Sequence, residues 1–169
     1  MKTLYLVRHA KASLENRNER DIDRPLVDEG LKRTKHIIDF LYKNHTSLDL
    51  IISSPAVRAY ATAHIIARAL NFPFENIKKE RTVYDGDADK ITNLFYDLSK
   101  NIEKLMIVGH NPSITNFANL LLPDPIDYLP TSGLVCIQFD ANSWDDIWQA
   151  KIITNFVVTP QMLKSDKGE

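Results

Sequence analysis

The sequence predicts an α/β fold, a three-layer α/β/α sandwich around a largely parallel central sheet. Two observations predict it. Leu4–Val7, Leu50–Ile52 and Lys104–Val108 are short apolar runs, the pattern of strands covered on both faces. Between them lie stretches whose apolar residues recur at helical spacing, so strands and helices alternate as a parallel sheet requires.

Each element has its own signal. Thr3–Val7 is the first strand and ends in a polar loop; Asn16–Pro25 is charged and irregular. Asp28 is placed to cap a helix carrying Leu31, Ile37, Ile38, Leu41 and Tyr42. Leu50–Ile52 is the second strand. Pro55 suits the first turn of an Ala-rich helix over Ala56–Leu70, with Asn71 and Pro73 beyond its end. Phe74–Val83 holds a third, weaker strand. Asp87 or Asp89 starts a helix bearing Ile91, Leu94, Phe95 and Leu98. Lys104–Val108 is the clearest buried strand after the first. Gly109 turns the chain, and a helix runs from Pro112 to about Leu122. Gly133–Phe139 and Trp148–Val158 read as late strands, a hairpin at one side of the sheet. No repeat or linker interrupts this order. The expectation is one domain over residues 1–163, with residues 164–169 a polar, frayed tail.

Composition excludes little. The 169 residues are 44% hydrophobic and 25% charged, and 21 basic residues balance 22 acidic ones. A net charge of −1 gives no global reason to expect nucleic acid or membrane, though a local basic pocket remains open. A single cysteine, Cys136, cannot form an internal disulfide, which fits a reducing compartment. Met1–Val7 is too short for a signal peptide, and no apolar run approaches the roughly 18–20 residues of a membrane span. A cytoplasmic chain is expected.

The chemistry collects where such sheets place ligands, outside the carboxyl ends of the parallel strands. The first strand ends on Arg8 and His9. The second ends on Ser53 and Ser54, with Arg58 one turn into the following helix. The Lys104 strand ends on Gly109, His110 and Asn111. Brought together, these ends join two arginines and two histidines beside a helix N-terminus. Such a cluster is costly without an anion, because like charges raise one another's energy. Arginine's planar fork fits a phosphate group in bidentate fashion.

These residues carry a resemblance. Arg8-His9-Ala10 resembles the RHG motif of the histidine phosphatase superfamily (phosphoglycerate-mutase-like), with Ala10 in place of glycine. SSPAVRAYATA at Ser53–Ala63 is similar to the family's SSPxxRAxxTA segment, and VGHNP at Val108–Pro112 to its second histidine motif. The short length and RPLVDEG at Arg24–Gly30 look most like SixA-type phosphohistidine phosphatases. The resemblance implies that His9 is the nucleophile and carries the phosphoryl group, that Arg8 and Arg58 bind its oxygens, and that His110 stabilises it in transfer. It implies no metal and no cofactor, a phosphohistidine-bearing protein as partner, and phosphate as product. Lys11, Ser13 and Asn111 are candidates to line the phosphate pocket, and Thr131–Gly133 to face it. Family members that cleave esters usually carry a glutamate after the third strand. The corresponding stretch, Lys79–Asp89, has no clear glutamate in that place; Asp85 is the best candidate donor, beside a turn or capping role for Asp85 and Asp87. Imidazole leaves readily once protonated, so a P–N substrate can dispense with a dedicated acid.

Other readings are weaker. Asp85–Asp89 fails as a calcium loop, with Lys90 where glycine is needed and Tyr96 where glutamate is needed. Cys136 lacks the arginine of a cysteine phosphatase loop; Asn142 stands there. His36, His45 and His64 have no ligand spacing, and Trp144 and Trp148 read as core or edge aromatics. Two alternatives to a phosphohistidine phosphatase stay open. One is a small-molecule phosphoester phosphatase or mutase of the same superfamily. The other is a non-catalytic phospho-binding domain, which would not need the nucleophile.

Overall fold

A computed structural model describes residues 1–14 and 18–166. Its strands and helices alternate as predicted: β1 (Lys2–Arg8), α1 (Asp28–Lys43), β2 (Leu50–Ser53), α2 (Val57–Ala69), β3 (Ile77–Lys79), α3 (Thr82–Asp85), α4 (Ala88–Leu94), β4 (Lys104–Gly109), α5 (Ser113–Leu121), β5 (Leu134–Asp140), β6 (Lys151–Val158) and α6 (Pro160–Asp166). The strand order is β3-β2-β4-β1-β5-β6. The first four run parallel; β5 pairs antiparallel with β1 and β6 with β5.

Both faces of the sheet are covered, which is why its strands read as continuous apolar runs. Leu4 and Leu6 of β1, with Leu105 and Ile107 of β4, pack under α4 and α5 against Ile91, Ile114, Phe117 and Leu121. Val7, Met106 and Val108 face the other way, onto Ile37 and Leu41 of α1 and Ala59, Ala63 and Ile66 of α2. The alanines of α2 let that helix lie close to the sheet.

Four boundaries differ from the sequence expectation, each for a local reason. Asp28 lies inside α1 rather than capping it; with Glu29 it places carboxylates in the first turn, where the helix dipole favours them. The segment from Phe74 to Val83 holds only three strand residues, because it is the sheet edge and Lys78 and Lys79 point to solvent. Asp87 caps α4 by accepting the Lys90 N–H at 2.9 Å, and the helix tightens after Leu94 into a 3-10 turn at Phe95–Asp97. At the C-terminus, Lys164 continues α6, which packs on α1, so residues 164–166 are helical rather than frayed; residues 167–169 lie outside the described residues, as do 15–17 within the irregular stretch. Trp144 is buried in the core, and Trp148 packs edge-on against Phe95 and Phe117.

Candidate active site

The carboxyl ends of β1, β2 and β4 meet at one edge. Arg8 lies opposite Gly109 and Ser53 opposite Val108 in register. Two further backbone bonds carry the pairing past the strands, His9 N–H to Gly109 O at 3.0 Å and Ser54 N–H to Val108 O at 3.0 Å. From the other side the Ser132 N–H reaches the carbonyls of Arg8 and His9 at 3.0 and 3.2 Å. Ser132 does so from a left-handed conformation (φ 60°), its hydroxyl bonded to Thr34. The Thr131–Gly133 segment thus braces the β1 end from behind. Ala10 is fully buried and its φ is not positive, so the position accepts a Cβ where the family motif has glycine.

Thr62, in the middle of α2, ties this end to the helix. Its hydroxyl accepts the Ala10 N–H at 2.9 Å and donates to the Arg58 carbonyl at 2.7 Å. The same atom therefore fixes both the chain after His9 and the helical turn that carries Arg58.

His9 donates from Nδ1 to its neighbour's carbonyl, Ala10 O, at 2.7 Å. A carbonyl only accepts, so the proton sits on Nδ1 and the Nε2 lone pair is free. Burial, joined by Arg58 and Arg8, lowers the imidazole to about 4, against the opposing Ala10 bond. His9 is therefore neutral near pH 7. The His110 ring lies 5.1 Å away, centroid to centroid, with Nε2 bonded to Ser54 Oγ at 2.7 Å. Burial, then His9 and Arg58, lower it to about 3, while Asp21 works the other way.

Three buried nitrogens have no hydrogen-bond partner among the described residues here: Nε of Arg8, Nε of Arg58 and Nδ1 of His110. A buried unpaired polar group costs roughly 1–3 kcal/mol, and three around one free imidazole nitrogen mark a place for an oxyanion. Each guanidinium is also anchored. Arg8 Nη1 donates to Leu129 O at 3.2 Å, and Arg58 donates to the backbone and side chain of Asp21 at 2.7 and 3.0 Å.

Sequence reading missed Asp21, and with it one wall of the site. Its carboxylate also accepts from Tyr84 Oη at 2.8 Å and Arg24 Nη1 at 2.9 Å. Burial opposes its charge, but the bonds from Arg24, Tyr84 and Arg58 hold it well below the usual carboxylate range. Tyr84 in turn meets His110 edge-on, with ring centroids 5.4 Å apart. Arg24 further donates to Ser13 O at 2.8 and 2.6 Å, closing the loop around Ser13. Only Arg24, inside the RPLVDEG stretch, left a trace in the sequence. Asp21 sits in a charged, aperiodic segment and had none.

The other candidates fall elsewhere. Lys11 is exposed and paired with Glu29 at 2.6 Å. The Ser13 hydroxyl turns to Glu19 at 3.4 Å. Asn111 is a candidate through its backbone N–H; its side chain donates to Leu129 O at 2.8 Å and accepts from Thr115 at 2.6 Å, bracing the loop that also receives Arg8 and leaving the backbone N–H for an anion. Asp85 is on the surface, paired with Arg81 one helical turn back at 3.1 Å.

A parallel-sheet enzyme with an oxyanion pocket built around two histidines and two arginines defines a class of phosphoryl-handling proteins. Residues 4–93 match the model of the histidine phosphatase superfamily (branch 1). The chain belongs to that superfamily and is a phosphatase of it. Over 85 residues, 49% of this chain and 38% of the other, it is 39% identical to phosphoserine phosphatase 1 of Hydrogenobacter thermophilus. A structure of SixA from Agrobacterium tumefaciens, assigned as a phosphohistidine phosphatase, superposes with a TM-score of 0.76 at 26% identity, covering 92% of this chain and 97% of that one. The protein histidine phosphatase SixA complexed with tungstate superposes at 0.80 with 20% identity, covering 96% and 99%. The fold is thus SixA-like and phosphoglycerate-mutase-like. Among the described residues no helix is long and apolar enough to cross a membrane.

Proposed function

We propose that the protein removes phosphoryl groups from phosphohistidine in a protein partner, by way of a phosphoryl group carried on His9. One observation carries the reading. The neutral His9, its Nε2 free, shares its pocket with nitrogens of Arg8, Arg58 and His110 that have no partner among the described residues. In-line attack by Nε2 on phosphorus places the equatorial oxygens among those donors. His110, held neutral by burial and its cationic neighbours, takes a proton from solvent when a phosphoryl dianion lies beside it and becomes a cationic donor. As the P–N bond to the substrate breaks, its electron pair returns to the leaving imidazole, which departs neutral if its other nitrogen carries a proton. Water then attacks phospho-His9 and phosphate leaves.

Two features favour a P–N bond over an ester. Asp85 is turned to Arg81, Asp21 is held ionised, and Glu80, directly after β3, meets Lys78 at 3.9 Å, so none of the three stands as a proton donor to an alkoxide. The likeness to SixA structures supports a protein substrate. The second reading, hydrolysis of a small phosphoester, is favoured by the segment shared with phosphoserine phosphatase 1.

The test offers the enzyme a phosphohistidine-bearing carrier, p-nitrophenyl phosphate and 3-phosphoglycerate. The carrier should turn over fastest, and rapid quenching should trap an acid-labile phosphoenzyme. His9→Ala should abolish that species and reduce turnover by about a thousandfold or more. Faster turnover of the esters, or activity that survives the substitution, would overturn the reading.

A further inference from the structure

We propose that Asp21 sets substrate choice at this site. Fixed at the rim by Arg58, Tyr84 and Arg24, its carboxylate favours a phosphoryl group carried on a cationic ring and disfavours a phosphoester that bears a carboxylate of its own. The first half rests on the phosphohistidine reading above; the second stands without it.

The position is set by three side chains and the backbone. Asp21 lies in a short 3-10 turn, Asp21–Asp23, and is bound on both sides of its peptide, the carbonyl and one carboxylate oxygen each taking an Arg58 Nη. Arg58 is itself 6% exposed and supplies one of the unpartnered pocket nitrogens, so the carboxylate is one guanidinium away from the phosphoryl position. The Asp21 side chain nevertheless stays 37% exposed. It faces an open depression of about 470 Å³ lined also by Arg20, Asp23, Pro55, Arg81 and Tyr84; Tyr84, whose ring meets His110, joins this depression to the pocket behind it. A carboxylate has about four lone-pair sites. Among the described residues, Arg58 and Tyr84 occupy Oδ2 and Arg24 takes one site on Oδ1, which leaves one Oδ1 site for a donor from outside.

A phosphorylated imidazole can fill that site. With a proton on the nitrogen that does not bear phosphorus, the ring is cationic and its N–H can donate to Oδ1. The His9 lone pair forms the new P–N bond. The old bond's electrons neutralise the ring, which departs as imidazole with its proton in place; the positive charge passes to phospho-His9. An ionised Asp21 holds the proton where the leaving group needs it and supplies none to an ester oxygen. A carboxylate-bearing phosphoester meets the opposite situation. Its anion is brought to the same rim, and the other rim arginines are already taken, Arg20 by Asp23 at 2.8 Å and Arg81 by Asp85 at 3.1 Å. Like charges at this range, near a protein surface, separate substrates by about tenfold or more.

Asp21→Asn decides the point. Wild type and variant are compared for kcat/KM on N-phosphohistidine, p-nitrophenyl phosphate and phosphoserine. The nitrophenyl ester, free of a carboxylate, corrects for any general displacement of Arg58. Relative to it, the variant should lose about tenfold on phosphohistidine and gain about tenfold on phosphoserine. Equal factors on all three substrates would mean a purely structural role and would overturn the proposal. If wild type fails to cleave phosphohistidine at all, the proposed function falls, and the phosphoserine ratio alone still decides for or against Asp21. If the variant does not fold, inhibition of wild type by methylphosphonate and phosphonoacetate substitutes. Phosphonoacetate should bind at least about tenfold more weakly; equal or tighter binding overturns the inference.

Discussion

Arg8, His9 and His110 are mounted by backbone, whereas Arg58 and Asp21 are held by side chains. The floor of the pocket is an extension of the sheet: its ladder runs on through His9 and Ser54 and is closed from behind by Ser132. The wall is a loop with one 3-10 turn, fastened by Arg24, Arg58 and Tyr84 converging on one carboxylate. Backbone mounting makes position depend little on charge. Side-chain mounting makes the wall depend on charge. The floor therefore suits the reacting groups, and the wall suits recognition.

Lowering the pH separates the two regions most strongly. His9 and His110 are buried neutral, with values near 4 and 3, while unfolded histidines titrate near 6.5. Below that value the unfolded chain binds more protons than the folded one, so stability falls as pH falls and levels off only near the folded values. Between pH 7 and 5 the two rings together cost up to about 4 kcal/mol. Asp21 is held ionised and contributes nothing in that window. Thermal melts across it should show the loss, and saturating phosphate should restore part of it, since the anion stabilises protonated His110. A melting temperature that stays flat from pH 7 to 5 would remove the buried neutral pair from the account.

Gly30 is the next place to break the floor. A Cβ there would sit 2.4 Å from the Lys11 carbonyl oxygen and 3.1 Å from its carbon, both backbone atoms. The first turn of α1 is pressed against the chain two residues after His9, where the Val27 N–H also meets Lys11 O at 3.1 Å. Gly30→Ala should therefore cost about 2–3 kcal/mol by overpacking. It should also lower kcat more than KM, because it moves the floor rather than the wall. Denaturant melts and steady-state kinetics check both effects.

Thr62→Val tests the joint between the regions. It is close to isosteric but strands the Ala10 N–H and removes the tie to the Arg58 carbonyl. An unpaired buried donor costs about 1–2 kcal/mol, and activity should fall about tenfold through both His9 and Arg58. Full activity with lost stability would show that floor and wall are positioned independently.

The contrast also explains what the sequence could reveal. The floor was legible because a strand buried on both faces must be an unbroken apolar run, and a run that ends on Arg8-His9 or Gly109-His110 is hard to place anywhere but a ligand edge. The layers followed from the same runs. Gly30 was visible only as part of a familiar stretch; its reason, a backbone approach from a segment far back in the chain, has no local signature. Asp21 and Tyr84 were invisible. A charged loop gives no periodicity, and their roles come from which side chains meet across 37 and 63 residues of chain. Lys11, Ser13 and Asn111 illustrate the converse. Proximity in sequence to a catalytic residue says little about direction, and each has a bond that turns its side chain away from the pocket, though the backbone N–H of Asn111 is not spent in that way.

Lys11 gives the smallest effect and the sharpest check on that last point. It stands two residues after His9, carries a positive charge, and sequence reasoning made it a candidate for the phosphate pocket beside simple loop exposure. Its ammonium instead meets Glu29 at 2.6 Å on the surface, with both side chains about half exposed. Exposed pairs of this kind contribute about 0.2–1 kcal/mol. Lys11→Ala should thus lower stability by less than about 0.5 kcal/mol and change kcat/KM by no more than about twofold. Salt should mimic the substitution, since screening acts on exposed charges and spares the buried ones. A loss of about tenfold or more in kcat/KM, with KM for the phosphorylated substrate rising in step, would mean that Lys11 swings from Glu29 to the phosphoryl group when substrate arrives. The division between a backbone-built floor and a charge-built wall would then have to include the residue that follows the nucleophile.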